Sequence, residues 1–411
     1  MPESLRGIIK PSTSQGSTSP ALTRVAYEES LKAMASNTAV LRDCGAMLSA
    51  LGIAVLPKSD SEPLKSAVLP VALLPRPFPA SQFNEAWQLG SIIARLMDNI
   101  AVDPEWLVTS LKEVTEADDF TRRLVDICRE VYIHHGRDHS KDIRLHLLRH
   151  DYLPTAICNR LLQVEVNTMA AGFAGMGTQV SAFHRMTASA ALGDLSGLRL
   201  PDNKPIETFA AAVAKAVEAY NEKFGRQSRS ICMVVDAPED NECDQRFLET
   251  ALLADHGISV HRRTMAELAK NAYIDEKTQL VFVPSLLDPE RMVEISLFYF
   301  RTGYGPSQYL DDSHWDIRKR LEFSNAVMCP SIPQQLSGTK KVQQLWYSDP
   351  SVMTRFGLTN EEADMMRQHF AVQVDPSTAE ETVAEAIKNP MAWVLKPQRE
   401  GGGHNMYGDE L

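Results

Sequence analysis

Apolar residues recur at helical spacing over most of the first third of the chain. They return every three or four positions over residues 27–51, where Gly52 ends the pattern, and again over 83–100 and 105–131. The proline-rich stretch 53–80 between these segments is typical of connecting structure. The sequence therefore predicts a helical layer in its first third, and this layer carries no obvious chemistry.

A different pattern begins near residue 227, where short apolar runs alternate with helical segments. An amphipathic segment at 206–224 precedes this pattern and indicates a further helix. Within the pattern, the apolar runs at 231–236, 258–262, 280–284 and 295–300 indicate strands, and the amphipathic segments 247–256 and 265–270 indicate helices. Strand–helix–strand spacing of this kind predicts a parallel α/β domain. Helices at 315–323, 359–370 and 378–388 then lead to the apolar run Trp393-Val-Leu395, for which we predict a buried strand.

Polar side chains follow the first and the last strand of the predicted α/β domain. Asn241, Asp244 and Gln245 come after the first strand, and Arg301 and Tyr304 come directly after the last. Ligands of parallel sheets bind beyond the carboxyl ends of the strands. Both groups therefore lie where a binding site is expected.

An earlier strand, Leu161-Leu-Gln-Val-Glu-Val-Asn167, carries a polar face. Side chains alternate along a strand, so Gln163, Glu165 and Asn167 project to one side. Carboxylate and amide oxygens are hard ligands of the kind that magnesium prefers. This face predicts a cation site, and the alternative is a half-exposed strand with a polar side.

The most informative stretch is Lys396-Pro-Gln-Arg-Glu-Gly-Gly-Gly403. Three glycines let the backbone approach a ligand closely and point successive N–H groups at it. A lysine and an arginine suit phosphate oxygens, and a carboxylate among them favours a bound cation. The stretch predicts a site for a nucleoside triphosphate with magnesium, and the alternative is a flexible glycine-rich tail.

Composition narrows the classes of partner and compartment. The formal charge of −11 on 411 residues argues against nucleic acid or an anionic membrane as a partner. Six scattered cysteines without a C-x-x-C spacing indicate reduced thiols. We find no membrane-spanning run and no secretory signal. We therefore predict a cytoplasmic protein with a disordered tail at 1–25, for which an organelle transit peptide is the alternative.

Histidines cluster in the middle of the chain, at positions 134, 135, 139, 146 and 150. His135 and His139 stand four apart, a spacing that suits a metal on one helix face, but Gly136 lies between them and the H-E-x-x-H pattern is absent. We interpret them as surface histidines around a turn and keep a metal site as the alternative.

Five motifs in order resemble eukaryotic-type glutathione synthetase over residues 27–411. They are Gln163-Val-Glu-Val-Asn-Thr168, Asp244-Gln-Arg246, Tyr299-Phe-Arg-Thr-Gly-Tyr304, Gly338-Thr-Lys-Lys-Val-Gln-Gln344 and the lysine–glycine stretch ending at Gly403. The resemblance implies an α/β fold, with an ATP-grasp-type body and an inserted parallel α/β substrate-binding domain. It divides the chain into the tail at 1–25, the first part of the helical and ATP-grasp body at 26–226, the substrate-binding domain at 227–336, and the rest of the body, with the glycine-rich loop, at 337–411.

The resemblance also implies an activity. Members of this family join γ-glutamylcysteine to glycine, using ATP as co-substrate and Mg2+ as cofactor, and they act as homodimers. ATP phosphorylates the cysteinyl carboxylate, and the glycine amine then attacks the acyl phosphate. No protein nucleophile is required, so positioning and neutralisation of phosphate charge supply the catalysis.

Matching the family motifs residue by residue implies roles for particular side chains. Arg149 and Lys396 take catalytic roles. The ATP site takes Glu165, Lys340, Lys396, Glu400, Gly401, Gly402, Gly403, His404, Asn405 and Tyr407. The magnesium site takes Glu165, Asn167 and Glu400. The dipeptide site takes Arg149, Met169, Ala170, Ala171, Gly172, Glu239, Asn241, Gln245, Arg301, Thr302, Gly303 and Tyr304.

The chain departs from the family pattern at several places. Residues 169–172 lack the family's serines, Thr302 stands where aspartate is usual, and His404 replaces an asparagine. The family also continues beyond the position of Leu411, so we expect an incomplete ATP-grasp body. Two alternatives follow: a weakly active or inactive homologue that binds dipeptide or dimerises as a regulatory subunit, and an ATP-grasp peptide ligase of altered substrate.

Overall fold

The computed structural model describes residues 24–56, 65–155, 160–192, 198–239, 241–398 and 405–410. The chain forms two compact units. One unit draws on Met1–Ala54, Val68–Arg76 and Gly177–Asn203, and the other on Val55–Ala67, Pro77–Met176 and Lys204–Leu411. No described helix has the length and apolar character needed to cross a membrane. Most of the tail predicted at 1–25 lies outside the described residues.

The described helices are α1 (Arg24–Ser36), α2 (Thr38–Ala50), α3 (Ala80–Ala101), α4 (Pro104–Ser110), α5 (Lys112–Ala117), α6 (Asp119–Cys128), α7 (Ala174–Leu192), α8 (Pro205–Phe224), α9 (Glu242–His256), α10 (Met265–Asn271), α11 (Asp312–Phe323), α12 (Ile332–Ser337), α13 (Lys340–Ser348), α14 (Pro350–Arg355), α15 (Asn360–Gln368) and α16 (Glu380–Lys388). The described strands are β1 (Ala54–Val55), β2 (Ala67–Val68), β3 (Arg149–Thr155), β4 (Arg160–Asn167), β5 (Ser230–Val234), β6 (Ser259–Arg263), β7 (Tyr273–Ile274), β8 (Val281–Pro284), β9 (Met292–Ile295), β10 (Leu297–Phe300), β11 (Val327–Cys329), β12 (Val394–Leu395) and β13 (Met406–Tyr407).

Two segments predicted as single helices are divided by capping residues. Asn37 separates α1 from α2, and its Oδ1 accepts hydrogen bonds from the N–H groups of Ala39 (3.0 Å) and Val40 (3.3 Å). In the segment 105–131, Asp118 ends α5 and caps α6 through the N–H of Thr121. Asn and Asp compete with the helix for backbone donors, which apolar periodicity alone does not reveal.

The first unit has a core of its own. Its buried side chains come from α1, α2 and the turn after it, the segment after β2, and α7, and they are Met34, Cys44, Leu48, Ile53, Leu74, Phe183 and Ala188.

A four-stranded parallel sheet lies at the centre of the second unit, in the order β11–β10–β5–β6. Alternate residues of its strands join different core clusters. Ile231 and Met233 pack with α8 and α9, whereas Cys232 and Val234 pack into the cluster that includes α3 and α6. Both faces of the sheet are therefore covered, which explains why its strands read as continuous apolar runs. The predicted parallel α/β arrangement is confirmed here.

One strand predicted within that arrangement belongs elsewhere. β8 pairs antiparallel with β7 and with β9. The connection from Pro284 to Met292 suits a hairpin, because a parallel crossover needs a dozen or more residues. The apolar run at 295–300 is likewise divided at Ser296, so that β9 joins the antiparallel sheet and β10 the parallel one.

Two hairpins complete the second unit. β3 pairs antiparallel with β4, with Arg149 opposite Asn167 and a register shift after Asp151. β12 pairs with β13, and Val394 and Leu395 are 40% and 38% exposed. The prediction of a buried strand at 393–395 is therefore wrong, because a two-residue strand in a two-stranded sheet has no second layer over it.

Candidate functional site

The polar face of β4 is its buried face. Gln163, Glu165 and Asn167 are 2%, 8% and 4% exposed, whereas the other face is only partly buried at Leu162 and Val164 and becomes buried at Val166 (1%). A solvated polar face, the alternative considered for this strand, is thus wrong. Burying polar groups costs free energy unless they find partners, so their partners define the site.

Two lysines meet the Glu165 carboxylate. Lys340 Nζ lies 3.3 Å and Lys396 Nζ 3.6 Å from Glu165 Oε2. The three side chains, which we call the lysine cluster, are 11–23% exposed. Lys340 is the first residue of α13, and Lys396 follows β12 directly. The cluster therefore joins three elements that are far apart in the sequence.

Backbone contacts fix the arrangement of the lysine cluster. Gln343 on α13 accepts from the N–H of Val166 (2.8 Å) and donates to the carbonyls of Val166 (3.1 Å) and Gly338 (2.7 Å). The Lys341 N–H donates to Gln398 Oε1 at 3.2 Å. The first contacts hold α13 against β4, and the last holds the segment after Lys396 against the start of α13.

Glycine is required at position 338 by close approach. A Cβ built on Gly338 would lie 2.3 Å from Thr168 Oγ1 and 2.5 Å from Thr168 Cγ2. The end of β4 therefore packs directly on the backbone that leads into α13. This contact accounts for the glycine that opens the Gly-Thr-Lys-Lys motif.

An acidic side chain that sequence reasoning missed lies beside the lysine cluster. Asp151 accepts from Arg149 Nε (2.8 Å) and Nη2 (3.0 Å), and from Asn167 Nδ2 (3.0 Å). Asp151 also stands opposite Glu165 in the β3–β4 register. Arg149 and Asn167, predicted for different ligands, thus share one carboxylate. A lone Asp in a strand gives no signal of this in the sequence.

A second pair of opposite charges lies at the carboxyl end of the parallel sheet. Arg301 follows β10, and its Nη1 lies 3.2 Å from Oδ2 of Asp244 on α9. The two side chains are 8% and 3% exposed. Asp244 also accepts from the N–H groups of Phe173 (2.9 Å) and Met176 (3.2 Å). We call Asp244 and Arg301 the arginine cluster.

The two predicted substrate segments, 169–172 and 301–304, touch one another at the arginine cluster. The Tyr299 hydroxyl donates to the carbonyl of Ala171 at 3.2 Å, and burial raises the pKa of this phenol to about 12, so it stays protonated. A Cβ on Gly172 would lie 3.2 Å from Arg301 Nη2, and one on Gly303 would lie 3.0 Å from Met169 Cε. Ala170 and Gly303 have positive φ angles of 51° and 94°. The close contacts leave room only for small residues at 172 and 303.

The remaining predicted substrate residues form a polar chain beside α9. Glu239 accepts from the N–H of Asn241 (2.9 Å) and from Gln245 Nε2 (2.7 Å), and Gln245 Oε1 accepts from Arg262 Nη2 (2.7 Å). Thr302 donates its hydroxyl to Asp236, and the Tyr304 N–H donates to Gln308 Oε1 at 2.8 Å. Asp236 and Gln308 were not predicted.

Part of the predicted nucleotide site lies outside the described residues, namely Glu400, Gly401, Gly402, Gly403 and His404. Asn405 Nδ2 lies 3.0 Å from the Tyr407 hydroxyl, and Tyr407 is 57% exposed on β13. β13 pairs with β12, which ends just before Lys396. Tyr407 therefore lies on the strand that pairs with β12, Asn405 comes directly before that strand, and Lys396 comes directly after β12.

Within the described ranges, no group of three or more His, Cys, Asp or Glu side chains could hold a metal. His139 is buried between Asp142 (3.0 Å) and Ser331 (3.1 Å), and His146 contacts Asp98 at 3.2 Å. His139 is buried and the His146 side chain is only 11% exposed. The interpretation as surface histidines therefore holds for the exposed His134 and His135 and is wrong for His139 and His146.

Comparison with known proteins gives consistent results. The family model described as "Eukaryotic glutathione synthase, ATP binding domain" matches residues 35–411. The chloroplastic glutathione synthetase of Arabidopsis thaliana is 36% identical over 348 residues, which are 83% of this chain and 61% of that protein. The human glutathione synthetase is 34% identical over 372 residues, 88% of this chain and 75% of that protein. The chain thus spans about three fifths of the length of the plant relatives.

A solved structure has the same fold. The apo form of a glutathione synthetase-like effector from Globodera pallida superposes with a TM-score of 0.67 at 19% identity, covering 92% of this chain and 78% of that one. Together with the parallel sheet at residues 230–329 and the match to the family model of the ATP-binding domain, this likeness confirms the predicted fold class, an α/β protein with an ATP-grasp-type body.

Proposed function

This chain belongs to the eukaryotic glutathione synthase family, and from that premise we propose that it is an ATP- and Mg2+-dependent ligase that joins γ-glutamylcysteine to glycine. The γ-phosphoryl group of ATP would pass to an oxygen of the cysteinyl carboxylate, with release of ADP. The glycine nitrogen would then attack the carbonyl carbon, and phosphate would leave as the amide forms. The observation that carries the proposal is the lysine cluster, with two ammonium groups on one buried carboxylate.

The lysine cluster suits the phosphates of a nucleotide. Lys340 and Lys396 present two positive charges in a site that is only partly exposed, where interactions with phosphate are weakly screened. In the structure both lysines face the single Glu165 carboxylate. A bound phosphate would pair with the two lysines in place of Glu165. The Glu165 carboxylate would then need a different positive partner.

The donors on β4 fit magnesium in that role. Glu165 and Asn167 stand two residues apart on the same buried face and offer a carboxylate and an amide oxygen. Magnesium is usually held by one or two carboxylates together with waters and substrate phosphates, so a complete protein cage is not needed. We propose Glu165 and Asn167 as ligands, with Glu400 as a third. Bound there, Mg2+ would supply neutralisation of phosphate charge.

We propose that the dipeptide binds at the arginine cluster. Arg301 offers a guanidinium to a substrate carboxylate, while Glu239, Asn241 and Gln245 offer polar groups on the neighbouring loop. Arg149 would lie toward the reacting carboxylate from the side of β3. These assignments rest on the family resemblance together with the contacts described above.

We also propose a homodimer in the cytoplasm. The dimer rests on the family resemblance, and sedimentation of the purified chain would test it. The compartment is supported by the five described cysteines, all of which are free thiols, as expected in a reducing environment.

Phosphate release tests the function directly. The chain is incubated with ATP, MgCl2, γ-glutamylcysteine and glycine, and both phosphate and the tripeptide mass are measured. Lys396→Met should lower the rate at least about tenfold, because one ammonium group at a partly desolvated phosphate is worth more than about 1.4 kcal/mol. Lys388→Met at the exposed end of α16 is the matched control and should leave the rate unchanged.

The two parts of the proposal fail differently. A wild-type chain that makes no tripeptide would overturn the activity. Full activity in both Lys340→Met and Lys396→Met would leave the activity standing and overturn the assignment of the phosphate site.

A further inference from the structure

The loop 301–305, between β10 and the 3-10 turn at Pro306–Gln308, is organised by one side chain. Gln308 Oε1 accepts hydrogen bonds from three successive backbone N–H groups, those of Gly303 (2.9 Å), Tyr304 (2.8 Å) and Gly305 (3.1 Å). Three convergent donors fold the backbone around that oxygen. The carboxamide oxygen therefore determines the path of the loop.

The other end of the same carboxamide is held by Asp236. Gln308 Nε2 donates to Asp236 Oδ2 at 2.9 Å, and the Thr302 hydroxyl donates to Asp236 Oδ1. Asp236 comes just after β5, the strand next to β10 in the parallel sheet. One carboxylate at the end of a central strand thus holds both the second residue of the loop and the side chain that organises the rest.

The loop has little freedom to find another shape. Gln335 Nε2 donates to the carbonyl of Gly303 at 3.0 Å. Gly303 has a φ of +94°, and a Cβ there would lie 3.0 Å from Met169 Cε and 3.1 Å from the Tyr309 hydroxyl. Arg301 and Tyr304 both belong to this loop, so a shift of the loop would move them. The shift would also disturb the segment 169–172.

We propose that Asp236 and Gln308 are positioning residues, which hold the loop 301–305 in the shape that presents Arg301 and Tyr304 to the γ-glutamyl dipeptide. The proposal rests on the function proposed above and adds two residues that neither the family motifs nor the sequence pattern assigned to the site. Both act through hydrogen bonds to the loop. Neither is a catalytic residue.

The direction of the hydrogen bond between Gln308 and Asp236 allows a direct test of the proposal. Asp236 is an acceptor only, and Gln308 donates to it while accepting from the loop. Gln308→Glu would keep the acceptor for the three N–H groups but would place a second carboxylate against Asp236. Asp236→Asn in the same chain would restore a donor–acceptor pair with its direction reversed, since the Asn amide would donate to the Glu carboxylate.

We expect Gln308→Glu to raise KM for γ-glutamylcysteine about tenfold while kcat and KM for ATP change by less than about threefold. The double variant Asp236→Asn with Gln308→Glu should return KM for the dipeptide to within about threefold of the wild type.

Thr302→Val, which removes only the hydroxyl donor and preserves shape, should raise KM for γ-glutamylcysteine about threefold. Ser307→Ala, at an exposed position of the same turn, is the matched control and should change nothing.

Dipeptide binding measured by calorimetry and the melting temperature of each variant complete the experiment. If Gln308→Glu does not fold, the double variant and Thr302→Val still carry the test. A double variant whose KM or Kd for the dipeptide is worse than that of Gln308→Glu alone, or equal effects on ATP and dipeptide, would overturn the positioning role. A wild-type chain that neither binds nor uses the dipeptide would overturn the proposed function, and with it this role.

Discussion

The lysine cluster and the arginine cluster both set a carboxylate against positive side chains, but their surroundings differ. Asp244 in the arginine cluster also accepts two backbone N–H groups, and both side chains of its ion pair are under 10% exposed. Glu165 in the lysine cluster is paired with two ammonium groups on flexible stems, and those lysines are 16% and 23% exposed. Asp244 is thus held in place by the surrounding backbone. Glu165 is paired with lysines that a bound phosphate could pair with instead.

The difference has a physical basis. Breaking a deeply buried pair leaves an uncompensated charge, which is expensive. The two lysines are more exposed than Arg301, so water screens their pairs with Glu165 more strongly. Within the arginine cluster, substitution of Asp244 should therefore lower the free energy of unfolding, whereas Arg301 is also proposed to bind the dipeptide. Substitutions in the lysine cluster should act mainly on ligand affinity. The predictions below separate the two clusters by this criterion.

The largest expected effect is at Asp244. Asp244→Ala removes the partner of the buried Arg301 and two backbone hydrogen bonds, so the free energy of unfolding should fall by about 3–5 kcal/mol. Urea denaturation followed by circular dichroism measures it. Glu242→Ala on the same helix breaks a pair with Arg246, whose side chain is 53% exposed, and should cost under about 1 kcal/mol. Equal costs in the two variants would show that the buried pair of Asp244 stabilises the fold no more than an exposed pair on the same helix.

The next effect concerns pH and the strand that borders the lysine cluster. Burial lowers the pKa of His150 on β3 to about 4, against a smaller opposing effect of Asp151. The unfolded chain takes up this proton near pH 6.5 and the folded chain only near pH 4. Stability is therefore full above pH 6.5 and is lost as pH falls toward 4, by at most about 3 kcal/mol.

Denaturation midpoints across pH 4–7 test the contribution of His150. His150→Gln should flatten the profile in this window. His134→Gln, at an exposed histidine, should leave the slope unchanged. A wild-type profile that is already flat would show that this burial does not govern the acid response.

A packing contact beneath the lysine cluster should have a smaller effect. Gly338→Ala would bring a methyl group to 2.3 Å from Thr168 Oγ1, so either β4 or α13 must shift. We expect a loss of about 1–3 kcal/mol in the free energy of unfolding. Gly90→Ala, where nothing lies within 4 Å of the added methyl, should be neutral or slightly stabilising. A tolerated Gly338→Ala would mean that Lys340 is not held by close packing on β4.

The smallest change in energy should be the most informative about ligand exchange. Glu165→Gln removes the charge that competes with phosphate for Lys340 and Lys396, so ATP should bind about fivefold tighter in the absence of metal, equivalent to about 1 kcal/mol. Calorimetry in the presence of EDTA measures the affinity. Asp375→Asn is the control, since Asp375 pairs with the neighbouring Lys341 and should not change it. Weaker metal-free binding in Glu165→Gln would contradict the exchange of partners.

Much of the fold follows from local pattern. The helix at 205–224 and the strand at 160–167 lie within one residue of the predicted bounds, because periodic apolar faces must be buried somewhere. The breaks at Asn37 and Asp118 and the hairpin at β8–β9 were missed. A cap competes locally with helix continuation, and the choice of strand partner depends on connection length and on the neighbours available in the folded unit.

The candidate site, like the fold, contains some residues that the sequence predicted and others that only the structure shows. The order of the motifs predicted Lys340, Lys396, Glu165 and Arg301 as site residues. Their charges indicate binding of phosphate, cation or carboxylate before the fold is known. Asp151 and Asp236 are single acidic residues with no motif around them. Their importance appears only when β3 is paired with β4, and when the ends of β5 and β10 lie side by side.

What the sequence determined by itself is the family, the periodic elements and the charged residues that we propose for the site. Only the tertiary structure decided which charges face each other: that both lysines share Glu165, that Arg149 and Asn167 share Asp151, and that Asp236 holds the loop through Gln308. The reason is that hydrogen bonds and ion pairs depend on distances of a few ångströms between residues far apart in the chain. Those distances are set by packing of the whole unit and not by any local stretch.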